Sequence, residues 1–207
     1  MDVLDLFEGV AACRNSCAEI LIDNHTNIPR GYFTLACPGD AIDLMLVAQN
    51  PGQPMPQENR VYQGLTPRDA ASKHLKFVHG CFLSNDGKQF HARLNSWMSE
   101  LFQIPVSEMW KRVVYTNAVK CTTIRNALPL SAVAQSCIGL HLRRELLVWN
   151  PKVTVALGNG ASVLLKQCGI AHEVLPHPSH RRENSYHGPA LDVLRRKLVA
   201  AKHAKAT

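Results

Sequence analysis

Residues 42–52 read IDLMLVAQNPG. A short apolar run stops at an amide pair and a Pro-Gly turn, so 42–48 is expected to be a strand buried on both faces with a loop at its C-terminal end. Three further segments follow the same plan: 112–116 (RVVYT), Val153–Leu157 (VTVAL) closed by Gly158, and Glu173–Leu175 ended by Pro176. Helical spacing of apolar residues is expected over 90–102, 131–149, 161–168 and 190–202, with an amphipathic helix over 3–22 and a Pro- and Gly-rich loop over 24–40. Alternating strands and helices predict an α/β fold, a three-layer α/β/α sandwich around a central, mostly parallel four-stranded sheet, built as one domain over 1–207. In such folds ligands collect in the loops beyond the carboxyl ends of the strands.

The 207 residues and 46% hydrophobic content suffice for one sizeable core. No stretch reaches the roughly 18 apolar residues of a membrane span, and the early acidic residues Asp2, Asp5 and Glu8 do not suit a secretory signal, so a cytoplasmic, bacterial-type intracellular protein is expected. Lys and Arg number 23 against 16 acidic residues, a formal charge of +7, which favours an anionic partner such as nucleic acid. Seven cysteines exceed what packing requires, and their odd number argues against a closed set of disulfides, which leaves metal or cluster ligation as the leading explanation. Ten histidines are present, but no pair has a ligand spacing with a carboxylate beside it, so a metal-dependent hydrolase is a distant alternative.

The chemistry-bearing residues fall at the strand ends: AQNPG at 48–52, TNAVKC at 116–121 and HPSH at 177–180. With RVYQG at 60–64 and PKVTVALG at 151–158, these segments carry a resemblance to the uracil-DNA glycosylase superfamily, nearest its iron-sulfur, family 4-like branch. That branch has a GEAPG-like loop, then RPFVG, TNVVKC, a later cysteine, a strand ending in LG, and HPS or HPA. The resemblance runs from Cys13 nearly to the end of the chain.

It implies a DNA-repair enzyme that hydrolyses the N-glycosidic bond of uracil in DNA, leaves an abasic site, and acts as a monomer without a membrane. Removing a base requires extruding the nucleotide, reading its edge, stabilising the leaving anion and bringing water to the sugar carbon. By resemblance, Asn117 reads uracil, donating to O4 and accepting from N3–H, a pattern that cytosine reverses. Tyr62 takes the aromatic position that stacks on the flipped base, and His177 donates to O2 as negative charge develops there. Ser179, His180, Arg181 and Arg182 form a loop suited to the minor groove and phosphates.

In the first loop Gln49 and Asn50 stand where the branch has Glu and a small residue, and the NPG that results is similar to the mismatch-specific and single-strand-selective branches. An amide cannot take up a proton at neutral pH, but it can orient water beside an electrophilic, oxocarbenium-like sugar. Asn50 is therefore assigned the water-positioning role, with Gln49, Pro51 and Gly52 completing the substrate-binding loop.

The resemblance also implies a structural 4Fe-4S cluster held by Cys13, Cys17, Cys121 and Cys137, since hydrolysis moves no electrons. Cys121 and Cys137 stand sixteen positions apart, as in the branch, whereas CRNSC at 13–17 has three intervening residues where two are usual. On the expected helix Cys13 and Cys17 share one face. Cys37, Cys81 and Cys168 match no ligand position and are expected to pack. TNAVKC continues into TTIRNALPLS without the basic, His-bearing insert of members that cross-link to DNA, so turnover is expected. Two other readings stay open: a glycosylase of broader or shifted specificity, for hypoxanthine or other damaged bases, and a non-catalytic DNA-binding protein on the same fold.

Overall fold

The computed structural model describes residues 3–15, 17, 30–52, 60–83, 89–179 and 187–203. Four strands, β1 (Leu44–Ala48), β2 (Val113–Asn117), β3 (Val153–Leu157) and β4 (Glu173–Leu175), form one sheet in the order β2-β1-β3-β4, every neighbouring pair parallel. The helices are α1 (Val3–Ala11), α2 (Pro67–Leu83), α3 (Gln89–Phe102), α4 (Val106–Met109), α5 (Ser131–Cys137), α6 (Arg143–Trp149), α7 (Gly158–Gln167) and α8 (His187–His203). No helix among the described residues is long and apolar enough to cross a membrane.

Successive side chains of a strand point to opposite faces, so the wholly apolar β1 feeds two cores. Met45 and Val47 pack with Phe7 and Val10 of α1, Ala134 of α5, and Leu164 and Leu165 of α7. Leu44, Leu46 and Ala48 pack with Phe82 of α2, Leu94 and Met98 of α3, and Leu191 and Leu194 of α8. These are the three expected layers. At the N-terminal end of the sheet, buried Asp43 accepts from Arg112 Nε and Lys152 Nζ, both at 2.6 Å, stapling the entries to β1, β2 and β3. All the loops that follow the strands open at the other end.

Several boundaries differ from the sequence reading. The first helix stops at Ala11 rather than running through 22, because the Arg14 guanidinium turns back to the carbonyls of Ala11 and Cys13, both at 2.9 Å, and so satisfies the helix end. Cys13 and Cys17 therefore lie beyond the helix rather than on one of its faces. The described part of the expected loop, 30–40, runs along β2: Phe33 and Tyr115 exchange backbone hydrogen bonds at 2.8 and 2.9 Å in an isolated antiparallel bridge. β2 extends one residue further than expected and takes in Asn117, whose register partner is Ala48. The helical span 131–149 contains a π turn at Ile138–Leu142, immediately after Cys137.

Helix α2 was not expected at all. Its outer face mixes polar residues with the exposed Phe77 and it carries Gly80, so apolar periodicity is weak, although Thr66 before Pro67, with Asp69 three residues on, is a helix-start signal. The Thr66 hydroxyl accepts from the Asp69 backbone N–H at 3.2 Å and donates to the Asp69 carboxylate at 2.6 Å.

Helices α1 and α2 meet at His74, whose ring lies 5.3 Å from Phe7 and is fully inside. Burial, reinforced by the positive charge of Arg30, pushes His74 down to about 3. Its folded value lies below the unfolded value, so the unfolded chain takes up a proton as pH falls below about 6.5 while the native state does not until about pH 3. Stability is thus complete above pH 6.5 and declines toward pH 3, by up to about 1.4 kcal/mol per pH unit from this group. Urea melts between pH 7 and 4 should show that decline, and His74→Asn should flatten it by about one proton; an equal slope in the variant would contradict the assignment.

Candidate functional site

The ends of β1, β2, β3 and β4 open into a cavity of about 1520 Å³. Gln49, Asn50, Pro51, Gly52, Tyr62, Asn117, His177 and Ser179 all line it, so the structure gathers every described pocket residue that the sequence singled out. His180, Arg181 and Arg182 lie outside the described residues. Among the described lining residues there is no Asp or Glu, while Arg30 and Lys73 supply positive charge.

The AQNPG loop is fixed from both sides. Ala118 N–H donates to Ala48 O at 2.8 Å and Val119 N–H to Gln49 O at 3.0 Å, which continues the β1–β2 pairing into the loops. Gln49 Nε2 donates to Asn50 Oδ1 at 2.8 Å and to the carbonyls of Asn126 and Ala127 at 3.1 Å. Asn50 Nδ2 donates to Pro51 O at 2.8 Å. The loop across the cavity bears Arg125 and Asn126 with φ of 53° and 54°, left-handed values uncommon outside glycine. Gln49 reaches this loop only because residue 160 is glycine: a Cβ there would sit 1.9 Å from Gln49 Oε1. The Gly52 carbonyl accepts from Arg30 Nη1 and Thr122 Oγ1, both at 3.0 Å.

Asn117 is the buried last residue of β2, and its Oδ1 accepts from Tyr115 Oη at 3.5 Å. Burial raises the Tyr115 phenol, which stays protonated. Behind Asn117 lies a closed polar cluster: Lys120 Nζ donates to Asn117 O at 2.8 Å, to Thr116 Oγ1 at 2.7 Å and to Glu145 Oε2 at 2.7 Å. Lys120 and Glu145 are 1% and 0% exposed, so the ion pair is sealed from solvent.

His177 begins the HPS turn. Its Nδ1 accepts the Ser179 backbone N–H at 3.2 Å, so the neutral ring carries its proton on Nε2. Arg93 Nη1 holds the turn through Pro178 O at 2.8 Å. Gly158, with φ of 85°, lets the chain pass His177, since a Cβ at 158 would come within 3.0 Å of the His177 Cβ. Tyr62 is buried in the wall, and its hydroxyl shares a hydrogen bond with His74 Nδ1 at 3.2 Å, which sets the ring's position.

The four expected cluster ligands, Cys13, Cys17, Cys121 and Cys137, are all half-buried free cysteines. Burial first, and then the neighbouring thiols of Cys137, Cys13 and Cys17, push Cys121 up to about 12. Burial pushes Cys137 to about 11 against the lowering effect of Lys120, whose backbone N–H donates to Cys137 Sγ at 3.3 Å, while Cys13 and Cys17 raise it. No group of three or more His, Cys, Asp or Glu among the described residues is arranged to hold a metal ion. Of the remaining cysteines Cys81 lines the cavity, Cys37 is exposed and Cys168 is half-buried.

Sequence reasoning overlooked Lys120, Glu145, Asn126, Gly160 and His74. The Lys of TNAVKC was visible, but its partner lies 25 residues away on α6, and nothing local announces that contact. No curated protein matches the chain. Residues 36–197 match the family model of the uracil DNA glycosylase superfamily, a span that includes the AQNPG, RVYQG, TNAVKC and HPS segments and leaves Arg30, Cys13 and Cys17 outside it. The chain, with its parallel sheet and its cavity beyond the strands' carboxyl ends, belongs to the uracil DNA glycosylase superfamily.

Proposed function

We propose that this protein is a monofunctional uracil-DNA glycosylase that acts as a monomer in the cytoplasm. The observation that carries the reading is a cavity holding a buried Asn117 amide and a His177 ring with its proton on Nε2, lined by no described carboxylate. Superfamily membership supports a DNA glycosylase in general.

Extrusion brings uracil against Asn117, whose amide donates to O4 and accepts from N3–H. As the C1′–N1 bond breaks, the electron pair moves into the base, and His177 Nε2–H donates to O2 where the charge collects. A preorganised donor of this kind contributes about 2.7 to 4 kcal/mol of transition-state stabilisation. Asn50 orients the water whose oxygen bonds to C1′; its proton passes to solvent, and the uracil anion is protonated on release. No side chain in the described wall is available as a carboxylate base, which suits a reaction whose sugar is already strongly electrophilic.

The cavity's size supports a second reading, a wider base range that includes hypoxanthine. Single-stranded and duplex oligonucleotides carrying one uracil or one hypoxanthine, followed by alkali, separate these readings. Uracil release that falls about 100-fold or more in His177→Ala is the expected result. Release of hypoxanthine in preference to uracil would favour the second reading, and binding without release of any base would refute excision.

We further propose that Cys13, Cys17, Cys121 and Cys137 hold a 4Fe-4S cluster. Four half-buried free thiols and the backbone N–H directed at Cys137 suit a thiolate-ligated cluster, whose contribution would be to tie the N-terminal segment to the loop after β2. Anaerobically prepared protein should contain iron and sulfide in equal amounts and absorb in the blue, and Cys121→Ser should remove the colour. Folded protein prepared in this way without iron would overturn the assignment.

A further inference from the structure

Helix α2 runs along one wall of the cavity, contributing Lys73, His74, Phe77 and Phe82 to it. Its outward stripe consists of Lys73, Lys76, Phe77 and Gly80, the i, i+3, i+4, i+7 spacing of one helix face, and all four are exposed. Phe77 is 56% exposed beside a cavity mouth where Val61 is 41% exposed. A large aromatic side chain so exposed in a helix, with Lys73 one turn before it and Lys76 directly before it, is not accounted for by the core. Gly80 is equally unaccounted for: it has an ordinary helical φ, and a Cβ added there would meet nothing within 4 Å. Glycine weakens a helix interior relative to alanine, so its use where packing does not demand it leaves room for something to approach the helix backbone.

We propose that Phe77 is a stacking subsite for a nucleobase in the strand flanking the extruded nucleotide, with Lys73 and Lys76 pairing the adjacent phosphates and Gly80 leaving room for the strand. The inference rests on the reading of the cavity as a DNA-base site. Three features commit it to a nucleic acid strand rather than an apolar partner. The aromatic ring is interleaved with cations, the cavity beside it is lined by no described carboxylate, and the chain carries a net charge of +7. Stacking of this kind tolerates any base, so it would add affinity and a preference for an unpaired flank without adding sequence preference.

The test uses the full-length protein and single-stranded oligonucleotides with a tetrahydrofuran abasic analogue in place of the target nucleotide. 2-Aminopurine is placed in turn at each neighbouring position. Wild-type protein should quench the fluorophore at one flanking position. Phe77→Ala should lose that quench and about tenfold in affinity, and Phe77→Tyr should keep both. Lys73→Gln with Lys76→Gln should lower the slope of log affinity against log salt by about 1.4, the value for two single-strand phosphate contacts. Unchanged quench and affinity in Phe77→Ala, with circular dichroism showing the same fold, would overturn the subsite, as would failure of the wild-type protein to bind. Binding and quench without uracil release in a parallel uracil-containing strand would count against the excision reading alone and support the subsite.

Discussion

The ammonium of Lys120 sits in the interior with the Glu145 carboxylate as its counter-charge, and both ends of the site are organised around it. Its Nζ holds the Asn117 carbonyl and the Thr116 hydroxyl on one side, while its backbone N–H meets Cys137 Sγ and its carbonyl accepts Arg30 N–H at 2.8 Å on the other. Removing one member of such a sealed pair costs about 3 to 5 kcal/mol, because the other charge is stranded without water. The pair thus fixes the relation of three elements: β2, which carries Asn117; α6, which carries Glu145; and the loop in which Cys121 follows Lys120 directly. Thr116 strengthens the arrangement by donating to Glu145 Oε2 at 2.7 Å, whereas Glu145 Oε1 has no hydrogen-bond partner among the described residues.

The two ends of the sheet divide the polar work. Ion pairs to Asp43 lock the N-terminal end, where charge is spent on structure. At the C-terminal end the described wall offers amides, imidazoles, phenols and backbone groups, and its only charged side chains are cations. On the proposed reading that division is chemically apt. A leaving base anion is favoured by the positive surroundings, and a neutral amide can hold water without competing with DNA phosphates for those cations. On the same reading the positive wall extends along α2, toward the strand that would deliver the base.

Much of the architecture was legible because it rests on local signals. Runs such as LMLVA and VTVAL identify buried parallel strands, and Gly158 and Pro176 mark where two of the strands end, so the loops that form the cavity could be named in advance. What escaped depends on partners remote in sequence or on single side chains. Periodicity suggested a helix through residue 22, yet it ends at Ala11, whose carbonyl Arg14 turns back to bond. Helix α2 hides its short buried face of Ala70, Ala71, His74 and Phe82 among polar residues, and only its Thr-Pro start betrays it. Tyr62 reads as an aromatic that faces a substrate and lines the cavity, while the hydrogen bond of its hydroxyl to His74, twelve residues on, has no local signal. Gln49 reads as a pocket-lining amide and does line the cavity, but its bracing of the Asn126 loop across Gly160 depends on partners remote in sequence.

The central claim is that the buried amide of Asn117 reads uracil in a pocket that cleaves the glycosidic bond. The most direct test is to quantify, by mass spectrometry, the free bases released from oligonucleotides containing one uracil and several cytosines by wild-type protein and by Asn117→Asp. The account predicts that the wild-type protein releases uracil and leaves cytosine in place. In the variant a carboxyl that has lost the amide's N–H donor to O4 should release uracil at least 100-fold more slowly and shift its relative preference toward cytosine, whose exocyclic amine it can accept. Uracil release at the wild-type rate by Asn117→Asp, with cytosine still refused, would contradict it.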